Sequence, residues 1–202
     1  MESAKSVSST LPTNYKLSKE QCPKSKTEKA EMTKVSHASV VGSLIYAMVC
    51  TRTDIGYDVA VVSRYMSNPG REHWVVVKWI LRYLKGTLSV CLRFGSGKPL
   101  LEGYTDSDMS ADVDTNRSTS GYVMTYAGGV VSWQSRLQKA VALSTMEAEY
   151  MSAVEADKEI IWMKEFIGEL GIRQDEFQLH CDNQSVIHLA KNVAYHSRTK
   201  HI

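Results

Sequence analysis

Between Leu100 and Ala190 the chain changes its hydrophobic period in an order that few folds accommodate. Three stretches with strand character come first, at about Leu100–Ser107, Ser120–Ala127 and Val130–Arg136. Gly128-Gly129 stands between the second and third as a two-residue hairpin turn. A long helical stretch follows and runs to about Leu170, where Gly171 ends it. Its start is marked by Ser144-Thr145-Met146-Glu147, with Ser144 as the cap and Glu147 at the third helical position. Phe177–Cys181 is a short apolar strand that runs into Asp182, and a last helix begins near Asn183. Three antiparallel strands joined through a helix to a fourth strand predict an α/β fold, a mixed sheet with flanking helices.

Upstream the pattern is helical. Val40, Val41, Leu44, Ile45 and Met48 recur at helical spacing. Thr53 is placed to cap a second helix running to about Met66, and Asn68-Pro69-Gly70 is a turn. A third helix is expected from about Glu72 to Lys85, stopped by Gly86, with Trp74, Val77, Leu81 and Leu84 as its apolar stripe and Val76, Ile80 and Tyr83 widening it. Arg71, Lys78, Arg82 and Lys85 share a narrow face of it. That face reads either as a ridge for a phosphate backbone or as the solvated edge of a core helix. Ser89–Phe94 has strand character, and Gly95–Pro99 is a loop where a boundary is expected. Residues 1–34, with recurrent lysines among Ser, Thr and Glu, read as a flexible linker or tail. The expected domains are therefore 1–34, a small mostly helical segment at 35–98, and the α/β unit at 99–202.

The net charge of +2 announces no nucleic-acid binder by bulk charge, so such a role needs local patches. The four cysteines, Cys22, Cys50, Cys91 and Cys181, form no C-x-x-C pair, which argues against a zinc site or a disulfide framework. No apolar run reaches a membrane span, and no export signal is visible at the start.

The chemistry rests on acids. Asp106 and Asp182 close two strands that are candidates for sheet neighbours, and Glu149 lies in the second turn of the long helix. Nucleases that use two divalent ions need several carboxylates converging on hard cations held about 3.5–4 Å apart. Ordinary surface acids remain an equal reading of the spacing alone. A calcium loop starting at Asp106 fails, because Ala111 stands where Gly is needed and Arg117 where Glu is needed. The histidines, among them His180, His188 and His196, show no zinc-binding spacing. Glu147 has a structural role in the cap, which leaves Glu149 for chemistry.

Several long motifs occur in order: Val41–Ile55 (VGSLIYAMVCTRTDI), Val62–Trp74 (VSRYMSNPGREHW), Trp79–Gly86 (WILRYLKG), Tyr104–Asp108 (YTDSD), Arg117–Tyr122 (RSTSGY), Ala142–Tyr150 (ALSTMEAEY), Cys181–Val186 (CDNQSV) and His196–Ile202 (HSRTKHI). Together they resemble the C-terminal part of copia-type LTR retrotransposon Pol polyproteins of the Tnt type. The resemblance covers nearly the whole chain and is weakest in the first 15 residues. It implies a reverse-transcriptase thumb or connection followed by a ribonuclease H-like domain from about residue 99. It implies magnesium, with manganese able to substitute, and hydrolysis of the RNA strand of an RNA–DNA hybrid by two-metal catalysis. Catalytic and metal-binding roles fall on Asp106, Glu149 and Asp182. Gln184 falls on a position that reads the minor groove, and Arg71, Lys78, Arg82 and Lys85 are the further substrate-binding candidates.

The implied partners are an RNA–DNA hybrid and the rest of the Pol polyprotein, including the polymerase palm, with no membrane. The implied compartment is the cytoplasm, in a virus-like particle, or the nucleus. The family's palm would precede residue 1 and its fourth carboxylate would follow Ile202. Met109-Ser110-Ala111 and Asp157 also depart from the family pattern. The alternative is a catalytically inactive relic or a nucleic-acid-binding module.

Overall fold

The computed structural model describes residues 3–12, 15–172, 174 and 176–191. The His196–Ile202 motif lies outside them. The chain divides into two compact units, Met1–Leu92 and Arg93–Ile202. No helix among the described residues is long and apolar enough to cross a membrane.

Among its described residues the first unit contains four α-helices, α1 (Lys26–Thr33), α2 (His37–Cys50), α3 (Gly56–Ser63) and α4 (Arg71–Gly86). Val41 and Leu44 of α2, Val59 and Val62 of α3, and Val76, Val77 and Ile80 of α4 meet in one core with Leu17, Ile55 and Tyr65. The buried stripe of α4 is His73, Val76, Val77 and Ile80, so Val76 and Ile80, expected to widen the stripe, lie at its centre, while Trp74, Leu81 and Leu84 pack at its margin. Thr53 opens a 3₁₀ turn, Thr53–Ile55, rather than capping a helix, and α3 begins after it at Gly56. Gly86 is the last residue of α4 and the cap falls on Thr87.

Two expectations need correction here. Residues 15–22 are not a free tail. Leu17 is buried in the core, with Leu11, Tyr15 and Cys22 packed against it. His73 Nδ1 accepts from the Gly70 N–H at 2.8 Å, and its Nε2 lies 3.2 Å from the Ser18 carbonyl oxygen, so α4 holds the incoming segment by a buried imidazole. Gly70 is required there, since a Cβ would fall 1.8 Å from the Gln21 carbonyl oxygen. Ser89–Phe94 is not a strand. No ladder partner meets it among the described residues, and Leu88, Val90 and Phe94 stay exposed.

The second unit is α/β. Among the described residues its mixed sheet has four strands in the order β3-β2-β1-β4, with β1 at Leu101–Asp108, β2 at Thr119–Tyr126, β3 at Gly129–Leu137 and β4 at Phe177–His180. β1 and β2 are antiparallel, as are β2 and β3, whereas β1 and β4 are parallel. The hairpin turn is Ala127-Gly128 rather than Gly128-Gly129. Both turn residues are left-handed, φ 50° and 76°, as a type I′ turn demands, and Gly129 already pairs with Tyr126.

Helix α5 (Thr145–Glu169) joins β3 to β4 and packs on one face of the sheet. Its buried residues Ala148, Glu149, Ser152, Ala156, Ile160, Met163 and Ile167 recur every three or four positions. Ala156, Ile160, Met163 and Ile167 meet Leu101, Tyr122 and Met124, with Phe177 and Leu179 at the margin. Gly103 lets the helix close on the sheet, because a Cβ there would meet Met124, Leu179 and Ile160 within 3.2 Å. Ser144 caps α5 by accepting from the Glu147 N–H, and Glu147 reaches back to the Leu143 N–H. At the other end Gly171, φ 82°, closes a Schellman motif: its N–H donates to Gly168, and the Ile172 N–H donates to Ile167. Helix α6 (Gln184–Lys191) starts on Asn183, whose Oδ1 accepts from the Ser185 and Val186 N–H groups.

Candidate metal centre

The register of the sheet sets the site. Tyr104 pairs with His180 across the parallel β1–β4 ladder. Asp106 and Asp182 each lie two residues further on, so the parallel register brings both to the same end of the sheet. Alternation along β1 turns Leu101, Gly103 and Thr105 toward α5 and leaves Tyr104 and Asp106 exposed. The Tyr104 and His180 rings stack at 4.8 Å beside them.

Ser152 then fixes where α5 crosses. Fully buried, it donates to the Asp106 carbonyl oxygen at 2.8 Å and to the Gly121 carbonyl oxygen at 3.3 Å, and accepts from Thr105 Oγ1 at 2.9 Å. Asp106 and Gly121 are themselves a ladder pair of β1 and β2. Gln138 does the same for the start of the helix, donating to Ser120 Oγ and to the Ala148 carbonyl oxygen, each at 2.9 Å.

Glu149, about one turn before Ser152, is thereby held over the end of β1. Its Oε1 accepts from the Ser107 N–H at 3.3 Å. The residue is 9% exposed, and its Oε2 is buried with no hydrogen-bond partner. Burial pushes the Glu149 carboxyl above its ordinary range, and the negative charges of Asp106 and Asp182 add to that, against the Ser107 hydrogen bonding.

Among the described residues, Glu149, Cys181 and Asp182 have ligand atoms within 4.8 Å of one another. Asp106 is not in that group, although its charge acts on both Glu149 and Cys181. Glu149 and Asp182 are thus brought together, with Asp106 in electrostatic range. Cys181 is the residue that sequence reasoning missed; its only signal was its place beside Asp182.

The other candidates divide. Gln184 is exposed at the first position of α6, two residues after Asp182. Arg71 and Lys78 are exposed on α4 in the first unit. Arg82 and Lys85 are engaged by their own chain: Arg82 Nε donates to the Lys5 carbonyl oxygen at 2.6 Å and Lys85 Nζ to that of Ala4 at 3.0 Å. Trp79 Nε1 donates to the Ser9 carbonyl oxygen, and the Arg82 guanidinium lies 5.1 Å from the Trp79 ring centre. Of the further acids, Asp108 accepts from the Thr119 N–H and Asp112 from Thr115 Oγ1, so both hold the β1–β2 loop.

Comparison with known proteins places the chain in a family. Over all 202 residues the chain is 57% identical to the retrovirus-related Pol polyprotein from transposon TNT 1-94 of Nicotiana tabacum, covering 15% of that protein. It is 38% identical over 168 residues, 82% of the chain, to that from transposon RE2 of Arabidopsis thaliana, covering 12% of it. It is also 44% identical over 133 residues, 65% of the chain, to secreted RxLR effector protein 161 of Plasmopara viticola, covering 94% of that protein. No family model matches the chain, and no solved structure matches it. The chain belongs to the retrovirus-related Pol polyproteins of copia-type transposons, and it spans a small part of their length.

Proposed function

We propose that the second unit is a ribonuclease H-like domain that hydrolyses the RNA strand of RNA–DNA hybrids during reverse transcription. The observation that carries this reading is the buried, unpartnered Oε2 of Glu149, beside Asp182 and within the field of Asp106. A desolvated carboxylate oxygen without a donor is costly, by about 1–3 kcal/mol, unless a cation completes it. The donor set is oxygen-rich, so it fits magnesium, with manganese able to substitute.

Asp106, Glu149 and Asp182 would hold that ion, which when bound stabilises charge on the attacking and leaving oxygens of the phosphodiester. Glu149 orients the attacking water. Asp106 and Asp182 supply negative charge from two neighbouring strand ends. Gln184 stands exposed where a shallow minor groove with 2′-hydroxyls can approach. Arg71 and Lys78 remain for phosphate contacts, whereas Arg82 and Lys85 first have to leave the Lys5 and Ala4 carbonyls. The palm and the rest of Pol are the partners this reading entails.

The test is strand choice. In magnesium the chain is expected to shorten the RNA of a labelled RNA–DNA hybrid and to leave duplex DNA and duplex RNA whole. Equal cutting of all three, or of none, contradicts the reading.

A further inference from the structure

We infer that Cys181, Asp182 and Glu149 form a site for a thiophilic divalent cation of the zinc or cadmium type. The inference rests on the proposed metal centre for its consequence, competition with the hard ion, but not for binding itself. Two observations carry it. The Cys181 Sγ and the carboxylate oxygens of Glu149 and Asp182 lie within 4.8 Å of one another. Glu149 is buried, and its Oε2 lacks any hydrogen-bond partner.

A tetrahedral zinc ion bonded at about 2.3 Å to sulfur and about 2.0–2.2 Å to oxygen spaces its ligands roughly 3.5 Å apart. The three donors therefore need to close by about an ångström. Asp182 is exposed just past the end of β4, so rotation of its side chain can supply that approach. Glu149 is held by α5 and Cys181 by the strand end, which leaves a fourth position for water.

A ligand set of one sulfur and two oxygens favours zinc or cadmium over magnesium, which seeks oxygen alone. On binding, the Cys181 S–H bond breaks, the proton passes to the buffer and the sulfur lone pair bonds the cation. No electron is transferred. The hard-ion centre thus carries beside it a sulfur through which a softer ion captures Glu149 and Asp182.

Cadmium is the probe, read by its ultraviolet thiolate charge-transfer band. The full chain is used with the exposed thiols removed, as Cys50→Ser and Cys91→Ser. The band is expected to saturate at one cadmium per chain and to vanish in Cys181→Ser. Glu149→Gln and Asp182→Asn are each expected to weaken binding about tenfold or more. Persistence of the band in Cys181→Ser overturns the site, as does unchanged affinity in both carboxylate variants.

Alkylation of the unsubstituted chain, read by peptide mass, gives the answer without any substitution. Cadmium must protect Cys181 and not Cys91, and equal alkylation with and without cadmium overturns the site. Neither readout depends on hybrid cutting. Failure of the cadmium site leaves magnesium-dependent cutting intact, and failure of cutting leaves the band intact.

Discussion

The Ser152 hydroxyl donates to the carbonyl oxygen of Asp106 at 2.8 Å, so the helix that carries Glu149 is bolted to the strand residue that carries Asp106. The same hydroxyl reaches Gly121 and accepts from Thr105, which ties α5 to both β1 and β2 at one point. Ser152→Ala removes the donor and leaves buried acceptors without it. Denaturant unfolding should show a loss of about 1–3 kcal/mol. A change below about 0.5 kcal/mol would mean that the apolar stripe alone positions the helix.

Gly103 makes a second demand on the same interface. An added Cβ meets Met124 Sδ at 2.7 Å, Leu179 Cδ1 at 2.9 Å and Ile160 Cδ1 at 3.2 Å. These are the tips of flexible side chains and can shift, so Gly103→Ala is expected to cost about 1–3 kcal/mol. Gly103→Val should cost more, as read from urea midpoints.

In the first unit, Leu17 tests whether the incoming segment is part of the fold. It is 6% exposed, in contact with the helical core. Leu17→Ala should destabilise that unit by about 2–3 kcal/mol. A mobile tail would give almost no change.

Asp58 gives the pH dependence a sign. It is buried in α3, and burial above all, with the charge of Asp54, pushes its carboxyl up to about 6, against a hydrogen bond from Thr10. Its folded value lies above its unfolded one, so its contribution is intact below about pH 4 and is lost as pH rises through 6. A displacement of that size corresponds to about 3 kcal/mol at most. Asp58→Asn should therefore raise the melting temperature at pH 7.5, with the gain shrinking toward pH 4. A gain that does not vary with pH would contradict this account.

What could be read in advance was local or periodic. Ser144 and Glu147 mark the start of α5 by hydrogen bonds within five residues, and the three strands show a period of two. What could not be read depends on tertiary contact. Leu11, Tyr15 and Leu17 have no helical period, so their burial follows only from the groove that the helices offer. Leu88, Val90 and Phe94 have strand composition but form no ladder among the described residues. Ser152 looks like any small helical residue until the β1–β2 ladder supplies two carbonyls. Cys181 joins Glu149 only because β4 ends beside the first turns of α5. Asp106 and Asp182 were legible as strand-end residues and Glu149 as a residue of the long helix, but their grouping depends on the parallel register of β1 and β4.

The most direct measurement is cutting of a labelled RNA–DNA hybrid by the purified chain in magnesium, beside Asp106→Asn and Glu149→Gln. The account predicts metal-dependent shortening of the RNA strand that both substitutions abolish while the far-ultraviolet circular dichroism stays unchanged. Cutting that survives in both variants, or its absence from the parent chain in magnesium and in manganese, would contradict it.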